Sequence, residues 1–217
     1  MRRLKPLRAV MAAIAVLIAG AATPAAAHPH VWVTSKAEVV YDGGKITAIQ
    51  HHWTFDEFYT AMAIQGLDTN NDGIYSREEL AELAKVNMEG LKEFDFFTFA
   101  RLGDKKLVLG EPQDYWLEHK NGILTLHFKL PLNEPVAADA AGFQFAVYDP
   151  SFFIAFELAK GEAVTLAGAP AGCKVTVGQM EETPDEKSLT GAMSQSLGSM
   201  GMGSGATKSA AVTCTKS

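Results

Sequence analysis

The segment DTNNDGIYSREE, residues 68–79, sets oxygen-bearing side chains at the spacing that wraps a hard cation. Asp68, Asn70 and Asp72 stand at its first, third and fifth positions, Gly73 at the sixth, Ser76 at the ninth and Glu79 at the twelfth. A calcium ion takes roughly six to eight oxygens, so short acidic and amide arms must come from one tight turn and a glycine must allow the bend. A longer carboxylate then closes the shell from the following helix, and the main-chain carbonyl of Ile74 completes the pattern. The pattern is that of an EF-hand, and the expected cofactor is Ca2+ held by Asp68, Asn70, Asp72, Ile74, Ser76 and Glu79. A polar Asp-Asn-Gly turn is the simpler explanation of the same residues, but helical periodicity on both sides favours the ion. One such loop, outside the cytoplasm where calcium is abundant, suits a structural clamp, because sensor loops usually work in pairs.

A second set of donors carries nitrogen. His28 and His30 lie in HPH, and His51 and His52 are adjacent further on. If the chain is cut after Ala27, His28 offers an α-amine and an imidazole together, and His30 shares its strand face. Pro29 removes the amide that an amino-terminal copper-nickel chelate would deprotonate, so a site there uses amine and imidazoles. Neighbouring strand residues point to opposite faces, so only one of His51 and His52 can join His28 and His30. Such a set suits nickel, cobalt, copper or zinc, whereas a solvated histidine at a strand end is the plainer reading. His127 shares the polar face of ILTLHFKL with Thr125 and Lys129, and His119 sits in EHKNG, so both read as surface residues. Met193, Met200 and Met202 offer soft thioethers of the kind copper(I) takes, within a glycine-rich stretch that commonly carries such residues without function.

Catalytic patterns are missing. There is no Gly-x-Ser-x-Gly, His-Glu-x-x-His, phosphate loop, dinucleotide glycine pattern or Cys-x-x-Cys. Asp56, Glu57 and Asp149 read as helix-start and turn acids. No enzyme is expected.

The elements that must position these residues follow from periodicity. VWVTSKAEVVYDGGKITAIQHHW reads as a hairpin about Asp42-Gly43-Gly44. Thr54 and Glu57 form a capping box for a helix over about 55–66. Leu80, Leu83, Ala84, Leu91 and Phe94 trace a second helix that frays beyond Gly90. The remainder alternates with period two between Gly, Pro, Asp and Asn turns. The expected fold class is α+β: a mostly antiparallel sheet with an EF-hand helix-loop-helix inserted at about 55–94. Residues 181–208 are rich in Ser, Gly, Met and charge and read as a flexible excursion, after which AAVTC returns to the sheet.

The first 27 residues show a basic start, the apolar run AVMAAIAVLIAGAA and an Ala-x-Ala exit, the order of a cleaved signal peptide. That run is too short to span a bilayer, so the expectation is a single exported domain over 28–217 that is not membrane-spanning. The whole chain carries 19 basic and 25 acidic residues. Loss of Arg2, Arg3, Lys5 and Arg8 makes the balance more acidic, which argues against nucleic acid as a partner. Cys173 and Cys214 are the only cysteines, and in an oxidising compartment they are expected to form one disulfide.

HPHVWV, HHWTFDEFYTAMAIQGLDTNNDG, NMEGLKEFDFFTFARL, GEPQDYWLEHKNGILTLHFKLPL, VYDPSFFIAFELA and LAGAPAGC together resemble a bacterial family of exported proteins of unknown function. Members are often described as uncharacterised periplasmic components of an ABC transport system and are often encoded near nickel or cobalt permeases. The resemblance implies a periplasmic location and an accessory role in transition-metal ion binding or transport beside a membrane permease. Two other roles compete: a solute-binding component of an ABC transporter, and a calcium-ordered module that docks a permease.

Overall fold

The computed structural model describes residues 29–179 and 207–215. Its first element is a long hairpin. β1 (Val31–Asp42) and β2 (Lys45–Phe55) pair antiparallel through Gly43 and Gly44, both at positive φ, the geometry a two-residue hairpin turn requires. Strict alternation in β1 buries Val33, Ala37, Val39 and Tyr41 and turns Trp32, Thr34, Lys36 and Glu38 to the other face. In β2 a register irregularity between Ile46 and Ala48 lets Ala48 and Ile49 both sink inward.

The expected helix pair follows, with a different cap. β2 runs on through Phe55, so Thr54 stays in the sheet, where its hydroxyl meets that of Thr125 at 3.1 Å. Asp56 is the N-cap instead. Its carboxylate accepts the Tyr59 amide that opens α1 (Glu57–Ala63) and the Trp32 amide of β1, each at 2.8 Å. α2 (Ala81–Lys92) buries Ala84 and Met88 along one side, and Leu80 at its N-cap is buried with them. A 3-10 turn, Asp95–Phe97, then holds three successive residues at left-handed φ while burying Phe96 and Phe97.

The strands form two sheets and not the one expected. β3 (Thr98–Leu102), β4 (Lys105–Lys106), β7 (Phe143–Val147), β10 (Cys173–Gln179) and β11 (Lys208–Cys214) make one, in the order β10-β11-β7-β3-β4. β5 (Gln113–Lys120), β6 (Ile123–Ala137) and β8 (Ile154–Leu158) join the hairpin in the order β5-β6-β2-β1-β8, and β9 (Val164–Ala167) also pairs with β1. Pairing is antiparallel apart from β1 with β8 and β9, so the fold is mostly antiparallel with few helices.

One face of the hairpin sheet therefore carries two covers. Val39, Ile49, Phe143, Phe145 and Val212 fill the space between the sheets. Further along the same face Trp53, Leu117, Leu124, Leu126 and Phe128 pack beneath Leu80, Ala84 and Met88 of the helical region. The Leu124 amide donates to the Thr60 hydroxyl at 3.1 Å, fastening α1 to β6. Cys173 and Cys214, opposite one another in β10 and β11, form the expected disulfide.

Candidate functional site

Between α1 and α2 the loop 68–79 winds on its own side chains. The Asp68 carboxylate accepts the amides of Asp72 (3.1 Å) and Gly73 (3.0 Å). Asn70 Oδ1 also accepts from the Asp72 amide, and Asp72 Oδ1 accepts from the Ile74 amide at 2.7 Å. Gly73 sits at φ +78°, a conformation that costs a glycine nothing. Glu79 reaches back to the loop: Oε1 accepts from the amide and hydroxyl of Thr69, Oε2 from those of Ser76. The Ser76 amide, then the Thr69 and Ser76 hydroxyls and the Thr69 amide, pull this carboxyl down to about 2. Asp68, Asn70, Asp72, the Ile74 carbonyl, Ser76 and Glu79 offer only oxygen, the donor chemistry a hard cation takes.

The loop also grips the edge of the sheet. β5 is an edge strand, with Leu117 and His119 toward the helices and Trp116 and Glu118 on the outer face. Tyr75 lies edge-on to His119 at 4.7 Å between ring centroids, and the Arg77 guanidinium sits 4.4 Å from the Trp116 ring centre. Two loop residues thus hold β5 from both sides.

From Trp116 the outer face carries one row across four strands. Trp116, His127, His52 and Lys36 are register partners on β5, β6, β2 and β1. Trp116 stacks on His127 with centroids 3.9 Å apart and planes 9° from parallel. His52 Nδ1 and His127 Nδ1 stand 2.6 Å apart, so one ring donates and the other accepts. Glu118 Oε2 lies 3.8 Å from His127 Nε2. Burial, His52 and Arg77 push His127 down to about 4 against the opposing pull of Glu118. His52 is also lowered, by burial first, with Glu38 raising and Lys36 lowering. Both rings are neutral near pH 7, the form that offers a nitrogen lone pair. Beside His52 opens a polar cleft of about 350 Å³, lined by Lys36, Glu38, Lys160, Glu162 and Thr165.

The profile of a family described as "Protein of unknown function (DUF1007)" matches residues 13–214. The chain belongs to that family. An "Uncharacterized protein" of Haemophilus influenzae is 22% identical over 161 residues, 74% of this chain and 76% of its own. An "Uncharacterized 15.5 kDa protein in trpE 3'region" of Spirochaeta aurantia is 32% identical over 111 residues, 51% of this chain and 74% of its own. Membership agrees with the uncharacterised family expected from the sequence.

Of the four histidines grouped from the sequence, His30, His51 and His52 lie among the described residues, and these three do not converge. His51 and His52 do face opposite ways. His51 is fully buried, stacked on Phe128, with Nε2 3.3 Å from the Thr98 hydroxyl. Burial, with a smaller effect of His52, pushes it down to about 3. It belongs to the core and cannot meet His30, which packs on Phe153 at the start of β1. Lys36 is the partner of His52, six residues along β1 from His30, which is roughly 20 Å of strand. His28, Met193, Met200 and Met202 lie outside the described residues, as does most of the expected excursion 181–208. Among the described residues no three His, Cys, Asp or Glu side chains converge at metal-ligand spacing.

His127 is the residue that sequence reasoning undervalued. It is half-buried and paired, not a solvated surface residue, because β6 lies against β2 with His127 opposite His52. His119 is likewise partly covered, by Tyr75. A count of registers between HHW and LTLHF would have found the pair, since placing Trp53 opposite Leu126 sets His52 against His127.

Proposed function

We propose that this protein is an exported, periplasmic calcium-binding protein of the EF-hand type, an accessory in the binding or transport of transition-metal ions beside a membrane permease, and not an enzyme. The observation that carries the calcium part is the winding of loop 68–79 about the Asp68 carboxylate while Tyr75 and Arg77 of the same loop clasp β5. Neutralising Asp68, Asp72 and Glu79 with a dication would fix that grip and hold the helices over the sheet. The wider role rests on the sequence resemblance and on the acidic balance of the chain, which favours cations over nucleic acid.

The test is calorimetric titration of chelator-treated protein with Ca2+, together with thermal melts. One binding event is expected, and saturation at a hundred times Kd should add roughly 2.7 kcal/mol of stability. Glu79→Gln should weaken binding at least about tenfold while leaving the folded spectrum unchanged. No heat on titration and a melting curve indifferent to chelator would remove the calcium reading.

A docking module is the second reading, favoured by one feature. Phe58 and Met62, four residues apart on α1, are 69% and 55% exposed, and neighbouring Trp32 is 51% exposed. Calcium-dependent binding to permease-containing membranes, abolished by Phe58→Ser, would distinguish it.

A further inference from the structure

Two imidazoles that meet nitrogen to nitrogen on the outer face of a sheet need a reason. A histidine on such a face is ordinarily solvated, yet the His127 side chain is only 13% exposed. Trp116 covers one face of His127, His52 abuts its Nδ1 edge, and its Nε2 is buried without a hydrogen-bond partner. The pair can share one proton, because two protonated rings at this separation would repel.

Acids flank the rings on both sides. Glu118 approaches His127 Nε2, and Glu38 lies close enough to His52 to act on its charge. Lys36 and Arg77 supply the opposing positive charges, the first next to His52 in the row and the second across Trp116. The cleft reaches His52 from the side of Glu38 and opens the ring to solvent.

We propose that His52 and His127 hold, through their facing Nδ1 atoms, a divalent transition-metal ion of the zinc, cobalt, nickel or copper class. Two nitrogens on one ion at about 2.0–2.1 Å stand roughly 3 Å apart, so the rings open by about half an ångström, a small turn about χ2. Binding requires the ring that holds its proton on Nδ1 to carry it on Nε2 instead, so both rings ligate as neutral imidazoles and no net proton is released. With Nδ1 on the metal, His127 carries its proton on Nε2, directed at Glu118, which orients the ring as outer carboxylates do for metal-bound histidines. Water from the cleft completes the shell.

This site rests on the transition-metal part of the reading above and is independent of the calcium loop. The probe is Co2+, followed by its visible absorption and by Zn2+ displacement, on the full processed chain carrying His28→Ala and His30→Ala so that nitrogens near the amino terminus do not contribute. One Co2+ per chain is expected, and His52→Gln and His127→Gln should each weaken it about 100-fold without altering the folded spectrum. Glu118→Gln should weaken it about tenfold, and Glu79→Gln should leave it unchanged. Equal Co2+ uptake by the parent and by His52→Gln and His127→Gln would overturn the site. So would uptake by the wild-type chain that vanishes with His28→Ala and His30→Ala alone, an outcome that leaves the broader transition-metal reading standing.

Discussion

His51 should make the fold sensitive to acid. Its ring lies in the core, stacked on Phe128, with Nε2 against the Thr98 hydroxyl, which in turn donates to the Phe96 carbonyl. Burial holds the folded value near 3, against 6.5 for an unrestrained imidazole. The folded state therefore binds fewer protons than the unfolded one below pH 6.5, so stability is intact above that pH and falls as the pH descends toward 3. At pH 5 the loss from His51 comes to about 2 kcal/mol, which for a chain of this size is a drop of about 4–8 °C in Tm. Urea unfolding of the wild type and of His51→Phe, at matched ionic strength between pH 7 and pH 5, measures it. Phenylalanine keeps a ring on Phe128 and cannot charge. The wild type should lose about 2 kcal/mol more than the variant over that interval, with the contributions of His52 and His127 largely common to both. Parallel decline of the two proteins would show that the buried imidazole is not held neutral, and the argument would fail.

Two further substitutions probe the frame of the site. Asp56→Ala removes the cap of α1 and the acceptor for the Trp32 amide, and should cost about 1–2 kcal/mol in urea unfolding while preserving the sheet's circular dichroism. Cys173→Ser opens a cross-link spanning 41 residues and should lower stability by about 3–4 kcal/mol, matching the effect of reductant on the wild type.

What the sequence disclosed and what it withheld divide along local and non-local lines. Gly43-Gly44 and the opposed faces of His51 and His52 follow from turn chemistry and period two, and both are present. Helices on both sides of 68–79 were visible from Phe55 through Phe94, although Asp56 displaced Thr54 as cap because β2 keeps Thr54 in its ladder. The partition into two sheets was hidden, since alternation in GFQFAVYD or AAVTC says which face is buried and not which sheet receives the strand. The His52–His127 contact depends on the register between β2 and β6, 75 residues apart along the chain.

The position of β11 constrains when the molecule can assemble. Last in chain order among the described strands, it is an interior one in its sheet, flanked by β10 and β7. Until β11 is in place, β10 has no ladder partner in this sheet, β7 pairs with β3 alone, and Phe143 and Phe145 lack the neighbouring Val212 and Ala210. Deletion of β11 should therefore yield an aggregation-prone species in which β7 presents an open edge.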